Sequence, residues 1–574
     1  MRVRRSLSNL FLCAVVLLLV GCPPEGRVIA VDIDEELIAL KIGESMTIRA
    51  NVHVTGAASR TVEWSTSDAN VARVSASGLV TALGPGVAFV TAQSHESPRF
   101  GADLRVLVLD EQRVASPYAS VSQVKVLRPS RSSASDPRLV GFDLAWESSW
   151  RGDLRPSYVA AADTWDAAWV FVKFRVVGGG WQHATLLTHG HGAEAGVSID
   201  ASSDGKGAFV YRQAPGFGAF EARGVRLAWD SALDGVSEGD VQDVRVFAIE
   251  MVHVPRGSFA LGTGGDEASA FRNGSSDDPF VVRGQTSLDL GAGEGQLNWS
   301  VGVDSGAPDG STNRSFPTGY DAFYVMKHQI TQGQYAAFLN TLTQAQADAR
   351  VHVGAQRRYA ITGEAVGSYA TTLPHVAANF LSWADGAAFT DWAALRPLSE
   401  LEFEKAARGP LAPVPNEYAW SGTGITAATA LQDEGSIQEV PTPFSANANF
   451  DQRLTPAGPL RVGAFAADGE SREGSGASYY GVMELSGNLW ERTVTVGNVE
   501  GRRFAGSHGD GSLDAAGDAN VATWPGADEV GAGFRGGAWY NEAAHLRVSD
   551  REFAAQVNAV RDSGRGWRAA RSAP

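Results

Sequence analysis

Gly481-Val-Met-Glu-Leu-Ser-Gly-Asn-Leu-Trp-Glu491, then Phe534-Arg-Gly-Gly-Ala-Trp539, then Gly566-Trp-Arg568 are the phrases that decide how this chain folds. No thiol accompanies them, because the only two cysteines are Cys13 and Cys22 at the extreme N-terminus. Working back towards the N-terminus, the run from Phe323 to Leu339 changes period midway. It alternates to Ile330, Thr331 stands where an N-cap belongs, and Tyr335, Phe338, Leu339 and Leu342 then share one helical face. The stretch Leu381–Trp392 reads as a second helix with Trp383, Ala387, Phe389 and Trp392 turned inward. In Arg396–Arg408, Ser399 and Glu402 form a capping box, and Glu404 with Arg408 an i,i+4 pair. Those roles explain the charges of Glu400, Glu402 and Glu404 without catalysis.

In that order and spacing the phrases resemble the formylglycine-generating enzyme / sulfatase-modifying-factor family, a variant of the C-type-lectin-like fold. Met251-Val-His-Val-Pro-Arg-Gly-Ser-Phe259 resembles its opening strand, so the resemblance covers 251–574 and implies an α+β domain. The family's oxidase chemistry runs on two cysteines after Arg-Gly-Gly; here those positions hold Asn541 and Leu546. No copper is therefore expected, and the catalytic set is empty. The resemblance also implies structural calcium, held by the Glu484 and Glu491 carboxylates and the Gly487 and Leu489 carbonyls, since calcium takes six to eight oxygens. An ion pair from Glu491 to Arg535 or Arg568 is the competing reading. A second calcium site would map to Asn449 and Phe450, then Gly463 and Phe465; Gly463 replaces a carboxylate, which weakens it. Related sulfoxide synthases take iron through a His-x3-His-x-His helix that this chain lacks. No Gly-x-Ser-x-Gly elbow comes with catalytic partners in plausible order, the Gly-rich loops lack the strand, lysine and helix of a phosphate cradle, and His508 stands alone in a turn.

The expected architecture is multidomain. Residues 1–21 carry early arginines and a short apolar run that reads as a secretory leader. Leu19-Val-Gly-Cys22 resembles a bacterial lipobox, which makes Cys22 the lipidated first residue of the mature protein, followed by a 22–27 tether. Across 28–110 short alternating strands between glycines indicate an all-β sandwich. Val62-Glu-Trp-Ser-Thr-Ser-Asp68 and Gly78-Leu-Val-Thr-Ala82 resemble a bacterial Ig-like domain of group 2, with Trp64 as its buried tryptophan. Residues 111–137 read as linker and 138–250 as a second β-rich domain of no recognised type. His183, His189 and His191 there are assigned to packing or surface rather than to a metal. A formal charge of −16 over 574 residues repels phosphate backbones and argues against nucleic acid.

Between the C-terminal anchors lie Tyr540, Asn541, Glu542, His545, Phe553, Asn558 and Asp562, a mixed aromatic and polar set suited to recognition. In the lectin-like fold this is the exposed ligand face. The pattern resembles variable proteins of diversity-generating retroelements. Tyr540, His545 and Phe553 are expected exposed, and Trp539, Arg547 and Trp567 buried. The function expected is a lipid-anchored envelope protein, at the outer membrane or cell surface, presenting a non-catalytic lectin-like domain to a protein or carbohydrate ligand. The alternative is a metal-dependent oxidoreductase on the same scaffold.

Overall fold

The computed structural model describes residues 26–33, 37–41, 43–84, 86–109, 118–127, 137–236, 240–466 and 471–574. Cys13, Cys22 and residues 111–117 and 128–136 of the expected linker lie outside the described residues, whereas Ser120–Leu127 within that expected linker is a strand paired with Arg138–Arg151. The chain forms two compact units that divide between residues 115 and 116.

The first unit is the expected sandwich. One sheet runs Leu37–Lys41, Gly101–Leu109, Gly86–Ser94, Val62–Thr66, its first pair parallel and the rest antiparallel. The facing sheet holds Ser45–Thr47, Leu79–Ala82 and Ala72–Val74. Ile48, Val80, Ala88, Val90, Leu104 and Val106 fill the space between them, as alternation in a half-buried strand requires. Trp64 corrects an expectation: it is half-buried, because Val62–Thr66 is an edge strand with one flank uncovered.

The second unit corrects the expected boundary at 250, which falls inside the strand Val241–Val254. That strand pairs with Asp166–Val176 on one side and with Phe323–Met326 on the other. The result is one eight-stranded sheet in the order Val197–Ala201, Ala208–Arg212, Asp166–Val176, Val241–Val254, Phe323–Met326, Ala569–Ser572, Arg396–Pro397, with Trp181–His183 beside Asp166–Val176. The residues of Asp166–Val176 say why the two halves fuse. Ala168, Val170, Val172 and Phe174 face a core shared with Phe142, Leu144 and Trp146. Ala167, Trp169 and Phe171 face the opposite core, shared with Tyr324, Phe389 and Trp392. A strand apolar on both faces needs cover on both, so 138–250 cannot stand alone. Lys327 crosses the seam and pairs with Asp166 at 3.3 Å and Glu250 at 3.1 Å, all buried.

The helices begin where their caps stand. Thr331 caps Gln332–Leu339, Ser382 caps Trp383–Trp392, and Ser399 with Glu402 caps Glu400–Arg408, each in a capping box. The Glu400–Arg408 helix is buried on every side, with its carboxylates paired inside the protein. Glu400 receives Arg551 at 2.7 Å and Arg535 at 3.1 Å, while Glu404 receives Arg535 at 2.8 Å and Arg408 at 3.2 Å. This network stitches the helix to the C-terminal segment.

Candidate ligand-binding site

The site is built on the ribbon formed by Glu491–Val494 and Ala532–Arg535. Beyond it the chain turns at Gly536 and Gly537, with φ of +85° and +72°. A Cβ at either would meet the Leu485 carbonyl or the Leu546 side chain at about 2.5 Å, so only glycine fits. Trp539 then goes inside, its indole donating to the Ser563 carbonyl at 3.0 Å. Asn541 closes the turn by accepting the Ala538 N–H at 2.9 Å. The 3₁₀ turn Ala543–Leu546 buries Leu546 completely in a core of aliphatic and aromatic side chains and leaves His545 partly exposed. The two positions that carry thiols in the resembled enzymes thus hold a turn cap and a core aliphatic.

Of the expected ligand-face residues, the structure brings Tyr540, His545 and Phe553 together around Trp490. Trp490 lies 5.8 Å from Phe553 edge-on and 6.1 Å from His545, and His545 is 5.4 Å from Phe553. All three are half-buried rather than exposed, because each leans on this aromatic floor. Glu542 is exposed. Asn558 and Asp562 belong to the frame. Asn558 accepts from Arg565 at 2.9 Å and donates its N–H to Glu529, and Asp562 accepts the Tyr540 hydroxyl at 2.9 Å. Trp567 is buried as expected, but Arg547 is only half-buried.

Two residues that sequence reading did not single out complete the patch. Asp550 Oδ1 and Glu552 Oε2 each lie 3.7 Å from His545 Nδ1. Asp550 beside the ring raises the imidazole's pKa against the opposing effect of burial. No motif announces a His-x4-Asp-x-Glu spacing; the reversal of chain after Leu546 creates it.

The residues mapped to calcium form a different arrangement. Glu484 Oε1 accepts the Gly463 N–H at 2.6 Å. Glu491 Oε1 accepts from Arg568 at 3.0 Å and from the Gln329 amide at 3.1 Å, and the same amide donates to the Leu489 carbonyl at 2.8 Å. An N–H donor therefore sits between two of the oxygens calcium would need. Asn449 likewise donates its amide to the Gly458 carbonyl and Asn488 Oδ1. Among the described side chains of this cluster, the carboxylate oxygens without a hydrogen-bond partner are Glu484 Oε2, which has His328 Nδ1 at 3.8 Å, and Glu491 Oε2, and Arg568 already supplies positive charge. The residues fit a buried ion pair rather than calcium, and the arginine involved is Arg568; Arg535 serves Glu400 and Glu404 instead. Burial pushes the Glu484 carboxyl up to about 7 despite Arg568. It pushes the neighbouring His328 down to about 3. A cavity of about 20 Å³, bordered by Tyr118, Glu250, His328 and Gln329, adjoins the cluster. It has room for one water.

Comparison with known proteins gives two family matches. The sulfatase-modifying factor enzyme 1-like domain matches residues 240–573, and the bacterial Ig-like domain (group 2) matches residues 27–99. The first match begins at the strand that joins the two halves of the large unit. Among solved structures, a four-domain extracellular cadherin fragment of Protocadherin Gamma B7 aligns at 10% identity and a TM-score of 0.14. The alignment covers 38% of this chain and about half (49%) of that one, and carries no argument about fold. No curated protein matches.

Proposed function

Because the chain belongs to the sulfatase-modifying factor enzyme 1-like family through residues 240–573, we propose that it uses this scaffold to bind a ligand and not to oxidise one. The observation that carries the reading is the fate of the two thiol positions. Leu546 is sealed in a hydrophobic core and Asn541 is spent on a turn, so neither can pass electrons or hold copper. What is left on that face is an aromatic floor of buried Trp490 with half-buried Tyr540 and Phe553, edged by polar side chains and mounted on an ion-paired frame. Rigid aromatics with adaptable polar neighbours suit recognition of a protein or carbohydrate surface. In this reading Cys22 carries a lipid anchor in the cell envelope and the Ig-like unit is a spacer. The tail between the anchors 535 and 571 is a diversified segment.

The enzymatic half is tested by incubating the protein with a cysteine-containing sulfatase peptide, with and without copper. No aldehyde is expected, and turnover above background overturns the proposal. The anchor is tested by Cys22→Ser, which is expected to move the protein from the membrane to the soluble fraction. A near-copy of the DNA encoding 535–571 beside a reverse-transcriptase gene is the expected mark of diversification. Its absence leaves a fixed binding face.

A further inference from the structure

We propose that His545, Asp550 and Glu552 form a site for one divalent transition-metal ion of the zinc type. Among the described residues they are the one group of three side chains whose ligand atoms all converge within 4.8 Å. The two His545 contacts, at 3.7 Å each, are too long for hydrogen bonds. An ion about 2.0–2.2 Å from each ligand in tetrahedral geometry holds the donor atoms about 3.4 Å apart, close to the 3.7 Å of the two His545 contacts. Nδ1 of His545 is buried and has no hydrogen-bond partner among the described residues, although it faces both carboxylates. The Asp550 side chain is only 6% exposed. A buried carboxylate oxygen and a buried ring nitrogen facing each other at 3.7 Å suit a cation held between them.

The backbone carrying these ligands is fixed from behind. Ser549 Oγ accepts from Arg408 at 2.9 Å and donates to Glu404, and Arg551 grips Glu400. With Ser549 and Arg551 committed inward, Asp550 and Glu552 are left for His545, whose ring rests on Phe553. Ligands preset by neighbouring packing lose little entropy when an ion arrives. Imidazole with two carboxylates suits zinc or its first-row neighbours. Only three protein ligands converge, and His545 and Glu552 remain 23% and 40% exposed, so the remaining coordination faces solvent. Water, or an oxygen of a bound ligand, would take that position. The site stands independently of whether the aromatic floor binds anything.

The test uses the full chain, stripped with chelator and dialysed against zinc chloride. Bound zinc is counted by elemental analysis, and affinity comes from competition with a chromogenic zinc chelator. Cobalt(II) is read in parallel through its visible absorption. One zinc per chain is expected in the wild type and in a His189→Gln/His191→Gln control, which removes the other closely spaced histidines. His545→Gln and Glu552→Gln are each expected to weaken binding about 100-fold or more and to abolish the cobalt spectrum. Glu552→Gln alters a partly exposed side chain, so it keeps the test decisive should the His545 variant misfold. Failure of the wild type to take up zinc, or unchanged affinity in both variants, overturns the proposal and leaves an ion pair only.

Discussion

Glu484→Gln is expected to stabilise the large unit at neutral pH and to do nothing in mild acid. The Glu484 carboxyl is buried; Oε1 accepts the Gly463 N–H, and among the described residues Oε2 has no hydrogen-bond partner, with His328 Nδ1 at 3.8 Å. Burial lifts its pKa from 4.5 in the unfolded chain to about 7 in the fold. The sign follows from proton counting: between those values the folded state keeps a proton that the unfolded state releases. Stability is therefore undiminished below about 4.5, declines as pH rises to about 7, and stays reduced above. At about 1.4 kcal/mol for each pKa step of one, the ionised fold is penalised by about 3 kcal/mol at pH 8. Glutamine keeps the shape and the Gly463 contact but never ionises. Urea denaturation read by tryptophan fluorescence suits the test, since every tryptophan except Trp64 lies in the large unit. Wild type and variant should agree near pH 4.5, and the variant should gain about 2–3 kcal/mol by pH 8. Parallel curves across that range would refute the reasoning. Calcium in excess should leave both proteins unmoved. A calcium-dependent rise confined to the wild type would show that Glu484 is a ligand and that the argument from occupied oxygens fails.

Arg535→Met leaves Glu400 without its 3.1 Å partner and Glu404 without its 2.8 Å partner in a dry interior. It should cost about 3–5 kcal/mol in the same denaturation assay, and a loss below 1 kcal/mol would mean that water reaches the network. Leu546→Ala should cost about 2–5 kcal/mol, the range for a fully buried leucine. Phe553→Ser should cost only about 1–2 kcal/mol, because its ring covers one edge of Trp490 and is itself half-exposed. Equal losses at the two positions would place Phe553 in the core and remove it from the ligand face.

Local pattern was enough for much of this molecule. The capping boxes at Thr331 and Ser399, the switch from period 2 to period 3.6 after Ile330, and the alternating strands of the Ig-like unit each depend on neighbours a few residues apart. The absence of thiols from Asn541 and Leu546 was equally plain, because it needs only the identity of two residues. Tertiary structure decided what depends on distant partners. Whether Asp166–Val176 belonged to a separate domain turned on what covers its second face, and Tyr324, Phe389 and Trp392 lie more than a hundred residues away. Arg568, rather than Arg535, meets Glu491 because the ribbon carries Arg535 towards the Glu400–Arg408 helix while the last strand brings Arg568 beside the loop. Nothing in the order His545, Asp550, Glu552 marks a cluster; Arg551 gripping Glu400 turns its two neighbours towards the histidine. Sequence fixes short-range periodicity and residue chemistry, whereas the partner of a buried charge is chosen only when the whole chain excludes water around it.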